Sequence, residues 1–284
     1  MSNDPQLATI RRADREEPVI VLGDRVVPVR DLAPGFEGTA LDVISEGQFT
    51  SLAAAAGDSA GMPWEDCTFT APYRRPHKIW GIGLNYREHA ADLAESVPEQ
   101  PASFIKGDHT IIGPDEPIVL PAQSSRVTAE AELGLIIGRT CRNVDEDKAL
   151  DYVWGVTTIL DQTAEDILRL NPRYLTRAKN FPSFFCFGPT LTPLSSVLAR
   201  SGGLEELEVS TVRNNRDWRS DKVANMTHGP AALVSFHSRM MPLFPGDIIS
   251  TGTPGALTIA DGDVMECTIN GVGSLRTTVR AGVR

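Results

Sequence analysis

Two glutamates separated by a single residue stand at the head of an apolar run in TAEAELGLIIG, Thr128 to Gly138. From Leu133 onward the run is apolar, branched and closed by a glycine, the pattern of a short buried strand. Strand side chains alternate between faces, so Glu130 and Glu132 project on the same side, about 7 Å apart along the chain. Like charges so close repel, and burying either without a partner costs several kcal/mol. Any fold that uses this strand must therefore bring positive charge to that face.

A third carboxylate in an unusual place narrows the choice. Asp161 ends the apolar strand pattern VWGVTTILD, after residues that should be buried. Glu130, Glu132 and Asp161 on rigid strands make a hard-oxygen set suited to Mg²⁺, Mn²⁺ or Ca²⁺. Their spacing excludes a thiolate or histidine-rich zinc site. The alternative is that the same carboxylates pair with Arg and Lys at the surface of the sheet.

Composition limits the partners. The chain has 284 residues and a formal charge of −10 with no basic block, which argues against a nucleic-acid surface. An anionic substrate would then need a local cation. Cysteines at 67, 141, 186 and 267 form no metal-ligand spacing and read as scattered thiols of a reducing compartment. The N-terminal stretch lacks a signal-like apolar region and no run reaches the length of a membrane span, so a cytoplasmic protein without membrane contact is expected.

The punctuation of the chain predicts a small N-terminal domain over 1–70 and a larger one over 71–284. In the first, PVIVLGDRVVPV reads as a hairpin turning at Gly23-Asp24, residues 39–56 as a helix, and the stretch from Gly57 as linker. The body opens with the strand HKIWGIG, then a helical pattern with Asn85 as candidate N-cap. Strand signals follow in ASFIKG, PIVLP, AELGLIIG, YVWGVTTILD, DIISTG and VMECTING, with short helices near 145–152, 162–170 and 229–240. This is a mixed chain with a largely antiparallel or barrel-like β core. The βα rhythm of a doubly wound sheet is missing, and the lone GIG at 81–83 lacks the further glycine of a dinucleotide site.

Over roughly residues 77 to 282 the chain resembles the fumarylacetoacetate hydrolase superfamily, including its acylpyruvases and 2-hydroxyhepta-2,4-diene-1,7-dioate isomerases. The matching blocks are GIGLNYREHAAD, PASFIKGDHTIIGPDEPIVLP, EAELGLIIGR, GVTTILDQTAED, RAKNF and GDIISTGTPGALTIADGDVMECTINGVGSLRTTV. The resemblance implies an α+β, β-rich fold, a mixed β-sandwich roll with a small N-terminal α/β appendage, usually a homodimer. It implies a divalent metal, commonly Mg²⁺, on Glu130, Glu132 and Asp161. It places a general base at His89, oriented by a carboxylate that is Asp92 here, where a glutamate is usual. Lys179 in RAKNF would neutralise substrate oxygens, and Thr253 in TGTPG would hold a substrate carboxylate. Lys106 of FIKG is a further substrate contact. His109, His228 and His237 gain no role and read as structural or surface residues, and Cys186 as a core thiol.

The implied activity is hydrolytic C–C cleavage of an acylpyruvate-like or other 1,3-dicarbonyl acid. The same site would serve an oxo-acid decarboxylase or a 2-hydroxydienoate isomerase, and a reading of another class is a non-catalytic binder of metal and oxo acid. Besides Asp92, the sequence departs from the family at three places. Glu165 stands where an arginine is expected to face the substrate, Leu168 where a glutamine is expected, and Pro182 where an aspartate is expected. An unpaired anion at Glu165 would repel a second substrate carboxylate by about 4 kcal/mol at 4 Å and an effective dielectric near 20, which predicts a preference for mono-acids.

Overall fold

The computed structural model describes residues 4–13, 15–87 and 98–282. Its first strands form an antiparallel meander of β1 (Gln6–Arg12), β2 (Arg15–Leu22) and β3 (Arg25–Pro28). The expected turn lies at Gly23, whose φ of +64° suits glycine. After α1 (Val29–Leu32), the helix expected over 39–56 is broken in two, α2 (Ala40–Ser45) and α3 (Phe49–Ala56). Gly47 sits between them at φ +67° and ends the first piece, while Thr39 and Asp42 start it with a reciprocal capping box. The stretch expected as linker adds the short strands β4 (Met62–Pro63) and β5 (Thr68–Phe69).

The body supplies β6 (Ile79–Gly83), β7 (Ala102–Lys106), β8 (Ile111–Ile112), β9 (Ile118–Leu120) and the long pair β10 (Val127–Ile137) and β11 (Val153–Ala164). A 3-10 helix, Glu146–Tyr152, stands where a short helix was expected. Strand β11 runs on to Ala164, so the helix expected over 162–170 shortens to α4 (Glu165–Leu170), followed by α5 (Leu175–Lys179). Then come β12 (Phe185–Phe187), β13 (Thr190–Pro193), α6 (Leu194–Ser201), β14 (Glu208–Arg213), β15 (Asp217–Lys222) and α7 (Pro230–Met240). The chain closes with β16 (Ile248–Ser250), β17 (Ala256–Ile259), β18 (Val264–Ile269) and β19 (Gly273–Ala281).

These strands make two mixed sheets. The larger runs β4-β3-β2-β1-β13-β11-β10-β16-β6-β7, and the smaller runs β15-β14-β18-β19-β9. The pairs β16–β6 and β19–β9 are parallel. Strand β1 bonds β13, so the N-terminal strands extend the large sheet. The chain is thus α+β and strand-rich, as expected. Among the described residues no helix is long and apolar enough to cross a membrane.

Alternation along β10 divides the core. Ala129, Ala131, Leu133, Leu135 and Ile137 pack with Val209, Met265, Cys267 and Leu275 of the small sheet. On the opposite face, Ile136 and its neighbour Ile159 join Leu7, Ile20, Val43 and Leu52 of the N-terminal segment. Glu130 and Glu132 belong to that second face by parity, toward its other end. Gly134 stands between the two regions because a Cβ there would come within 2.5 Å of the Ile159 side chain.

Candidate active site

The pair β10–β11 is antiparallel and places Glu130 directly opposite Asp161, with Glu132 opposite Ile159. Direct cross-strand partners share a face, so the three carboxylates converge. Their oxygens lie within 4.8 Å of one another. The side chains of Asp161 and Glu130 are 1% and 12% exposed, so the cluster opens to solvent mainly at Glu130.

Two buried lysines meet it. Lys106 Nζ, at the end of β7, donates to Asp161 Oδ1 at 2.5 Å. Lys179 Nζ, on the last residue of α5, donates to Asp161 Oδ2 at 2.6 Å and to Glu130 Oε2 at 2.9 Å. Both ammonium groups lie near the Phe104 ring, at 6.0 and 5.0 Å from its centroid. Glu130 Oε1 accepts from Thr128 and Thr163, which flank it on the same face. Glu132 Oε2 accepts from the Ser250 hydroxyl at 2.5 Å and the Gly252 amide at 2.9 Å. Lysine partners were one of the two expected ways to hold this face, but they are buried rather than at the surface.

Among the described residues, two lysines meet three carboxylates. Burial pushes the Glu132 carboxyl up to about 8, with the Asp161 charge adding to it and Lys179 and Ser250 opposing. Burial also pulls Lys106 down to about 8 against the attraction of Asp161. For Lys179 burial works in the same direction, but Asp161, Glu130 and Glu132 overcome it and hold its pKa above the ordinary lysine value. The cluster fits a hard divalent cation. All three donors are oxygens, and they converge from rigid strands.

The loop from Ser250 to Ala256 runs beside β10, from the register partner of Gly134 to that of Glu130. Gly252 takes φ +94°, and a Cβ there would meet Asn85 at 2.8 Å, so the amide reaches Glu132 only with glycine. Thr253 is buried in this loop and its hydroxyl closes a turn with Gly255. Asn85 ties the same loop to the chain before residue 88. Its amide donates to the Thr251 and His228 carbonyls and accepts from the His228 amide. His89 and Asp92 lie outside the described residues.

Glu165 is not an unpaired anion. Arg126 and Arg169 both bond its carboxylate, the latter at 2.7 Å, so the repulsion argued above loses its basis. Leu168 packs against the main core. His109 is placed structurally, with the Asn180 carbonyl 2.9 Å from its Nε2. His228 Nε2 meets the Pro98 carbonyl, while His237 is buried against Trp80 with Nδ1 at the Leu233 carbonyl. Cys186 is a fully buried thiol whose pKa burial pushes up. Lys106 is more central than the sequence suggested, since only the fold shows that its ammonium reaches Asp161. Ser250, Thr128 and Thr163 gave no signal of their own.

Residues 78–280 match the sequence profile of the family described as fumarylacetoacetate (FAA) hydrolase C-terminal. The chain belongs to the fumarylacetoacetate hydrolase family. It is 31% identical to the 2,4-didehydro-3-deoxy-L-rhamnonate hydrolase of Sphingomonas sp. (strain SKA58), over 93% of this chain and 92% of that one. It is 30% identical to the oxaloacetate tautomerase FAHD2B, mitochondrial, of Homo sapiens, over 88% of this chain and 82% of the other. The structure is similar to that of maleylpyruvate hydrolase from Sphingobium sp. SYK-6 in complex with manganese(II) ion and pyruvate, with a TM-score of 0.83 and 27% identity, covering 98% of this chain and 100% of that one. The family therefore contains enzymes of more than one reaction type, and at least one member binds a divalent metal.

Proposed function

We propose that this chain is a divalent-metal-dependent hydrolase that cleaves a C–C bond in an acylpyruvate-like or other 1,3-dicarbonyl acid. The observation that carries this reading is the convergence of Glu130, Glu132 and Asp161 with two buried lysines on one face. One divalent ion there would add positive charge to the face, which suits an anionic oxo acid. The hydrolases named above, one of them captured with manganese and pyruvate, support the choice.

Glu130, Glu132 and Asp161 would hold the ion, Mg²⁺ by preference and otherwise Mn²⁺ or Ca²⁺. When bound, the ion supplies Lewis acidity toward the oxygens of a 2-oxo acid. Ser250 and Gly252 keep Glu132 aimed, and Thr128 and Thr163 do the same for Glu130. Lys179 places positive charge beside developing oxyanions, and the Thr253 loop takes the substrate carboxylate. His89, oriented by Asp92, draws a proton from water, whose oxygen adds to the distal carbonyl carbon. The C–C bond then breaks toward the oxo-acid fragment, which takes up a proton, and two acids leave. In this reading residues 1–70 form a small N-terminal domain and 71–284 the catalytic domain of a cytoplasmic homodimer.

The tautomerase relative favours a second reading, proton transfer on an oxaloacetate-like acid at the same site. Product mass separates the two. Metal-loaded protein is incubated with a panel of acylpyruvates and with oxaloacetate. Two acids from an acylpyruvate support hydrolysis, whereas acylpyruvates left intact while oxaloacetate loses CO₂, or takes up deuterium at its α-carbon in D₂O, sink it in favour of decarboxylation or tautomerisation.

A further inference from the structure

Lys106 and Lys179 approach one carboxylate from different elements, each on its own oxygen of Asp161. Two ammonium groups so close repel one another, and α5, which carries Lys179, is a helix of 5 residues with no side-chain N-cap. Something must hold the end of α5 against β7.

Asn180 occupies that position. Its Oδ1 accepts from the Gly107 amide at 2.7 Å, and its Nδ2 donates to the Ile105 carbonyl at 3.2 Å. These two bonds bracket Lys106 on both sides. The same Nδ2 donates to the Thr176 carbonyl at 3.0 Å, satisfying a last-turn carbonyl of α5 one turn before Lys179. The backbone carbonyl of Asn180 accepts from His109 Nε2 at 2.9 Å, so that nitrogen carries the proton. The imidazole lies against Gly107, where a Cβ would come within 2.5 Å of Nδ1.

We infer that Asn180, backed by His109, is a positioning residue that latches the Lys106 strand to the Lys179 helix and so sets both ammonium groups on Asp161. The inference rests on the proposed site, but it concerns the geometry of the lysines rather than the reaction. Neither residue touches the carboxylates, and their loss should leave metal binding intact while the lysines drift.

The test uses Asn180→Ala, His109→Ala and His109→Gln in the full chain. Glutamine can offer an amide N–H where Nε2 stands, so it serves as the conservative rescue. In a crystal structure of Asn180→Ala, Lys179 Nζ should leave hydrogen-bond distance of Asp161. Divalent-ion Kd by calorimetry should stay within about threefold of wild type. Pyruvate Kd for the metal-loaded protein should rise about tenfold or more in both alanine variants and return to within about threefold in His109→Gln. Should Asn180→Ala fail to fold, the two His109 variants carry the comparison through the pyruvate Kd and the crystallographic Lys179–Asp161 distance. Unmoved lysines with unchanged pyruvate affinity overturn the inference, as does a loss that falls wholly on metal affinity. If the wild type turns over no oxo acid yet the lysines shift as described, the hydrolase reading fails and the latch stands.

Discussion

At the scale of single residues, the face of β10 is held by charge. Asp161 has both oxygens on lysines, and Glu130 shares Lys179 with it, while Glu132 relies on a hydroxyl and an amide. Removing one carboxylate would leave a bound metal two of its three proposed ligands and disturb the lysines as well. Glu130→Ala and Asp161→Ala should each weaken divalent-ion binding by more than the ~10–100-fold that loss of an outer partner costs. Wild-type-like affinity by calorimetry in both would remove the site assignment. On the proposed mechanism, in which His89 acts on water and is no ligand, His89→Ala should cut hydrolysis by ~10²–10⁴ with metal affinity unchanged. Asp92→Asn should be milder, since the imidazole stays. Full turnover in His89→Ala would place water activation elsewhere. The glutamate pair was legible because alternation alone puts positions 130 and 132 on one face, whereas Asp161 joins them through the long-range pairing of β10 with β11. The lysines were less so, for a lysine's sequence neighbours do not say which carboxylate it will reach.

At the scale of elements, β10 and β11 were readable from their apolar runs, but their length and register were not, because the pairing that sets Glu130 opposite Asp161 is long-range. The helix expected over 39–56 failed at Gly47, whose positive φ stops α2. Strand β1 was missed because QLATIRR has too few apolar residues to stand out, and its place comes from long-range pairing with β13. The loop at 250–256 was legible only through its family resemblance, since Gly252 is specified by the closeness of Asn85 rather than by its neighbours in sequence. Gly134 offers an element-scale test. Valine there must displace both Ile159 and Thr157, which a Cβ would approach to 2.5 and 2.8 Å. Overpacking of this kind costs about 1–3 kcal/mol, so Gly134→Val should lower the urea midpoint without a change in slope. An unchanged midpoint would mean that Ile159 does not cover this face.

At the scale of the whole molecule, the N-terminal segment joins the rest by more than the β1–β13 ladder. Arg11 and Glu16, from β1 and β2, meet Arg74 and Glu116 of the following chain in one network. Arg74 Nη2 donates to Glu16 Oε1 at 2.9 Å and to Glu116 Oε1 at 2.7 Å, and Arg11 reaches Glu116 at 2.8 Å. Burial works against ionisation of both glutamates, but hydrogen bonds from Arg74 and Arg11, and from the Gly113 amide to Glu116, hold their pKa values below the ordinary 4.5. A depressed folded-state pKa contributes stability above the ordinary value and loses it as pH falls through the folded one. The network should therefore support the fold at neutral pH and release it in a window that begins near pH 4.5 and extends downward. Glu116→Gln should lower the urea midpoint at pH 7 and flatten the acid limb, with the two proteins converging at low pH. Raising the salt concentration should shrink the difference at pH 7 only in part, since the groups are half-buried. Parallel acid limbs in wild type and variant would show that Glu116 does not couple this segment to the body.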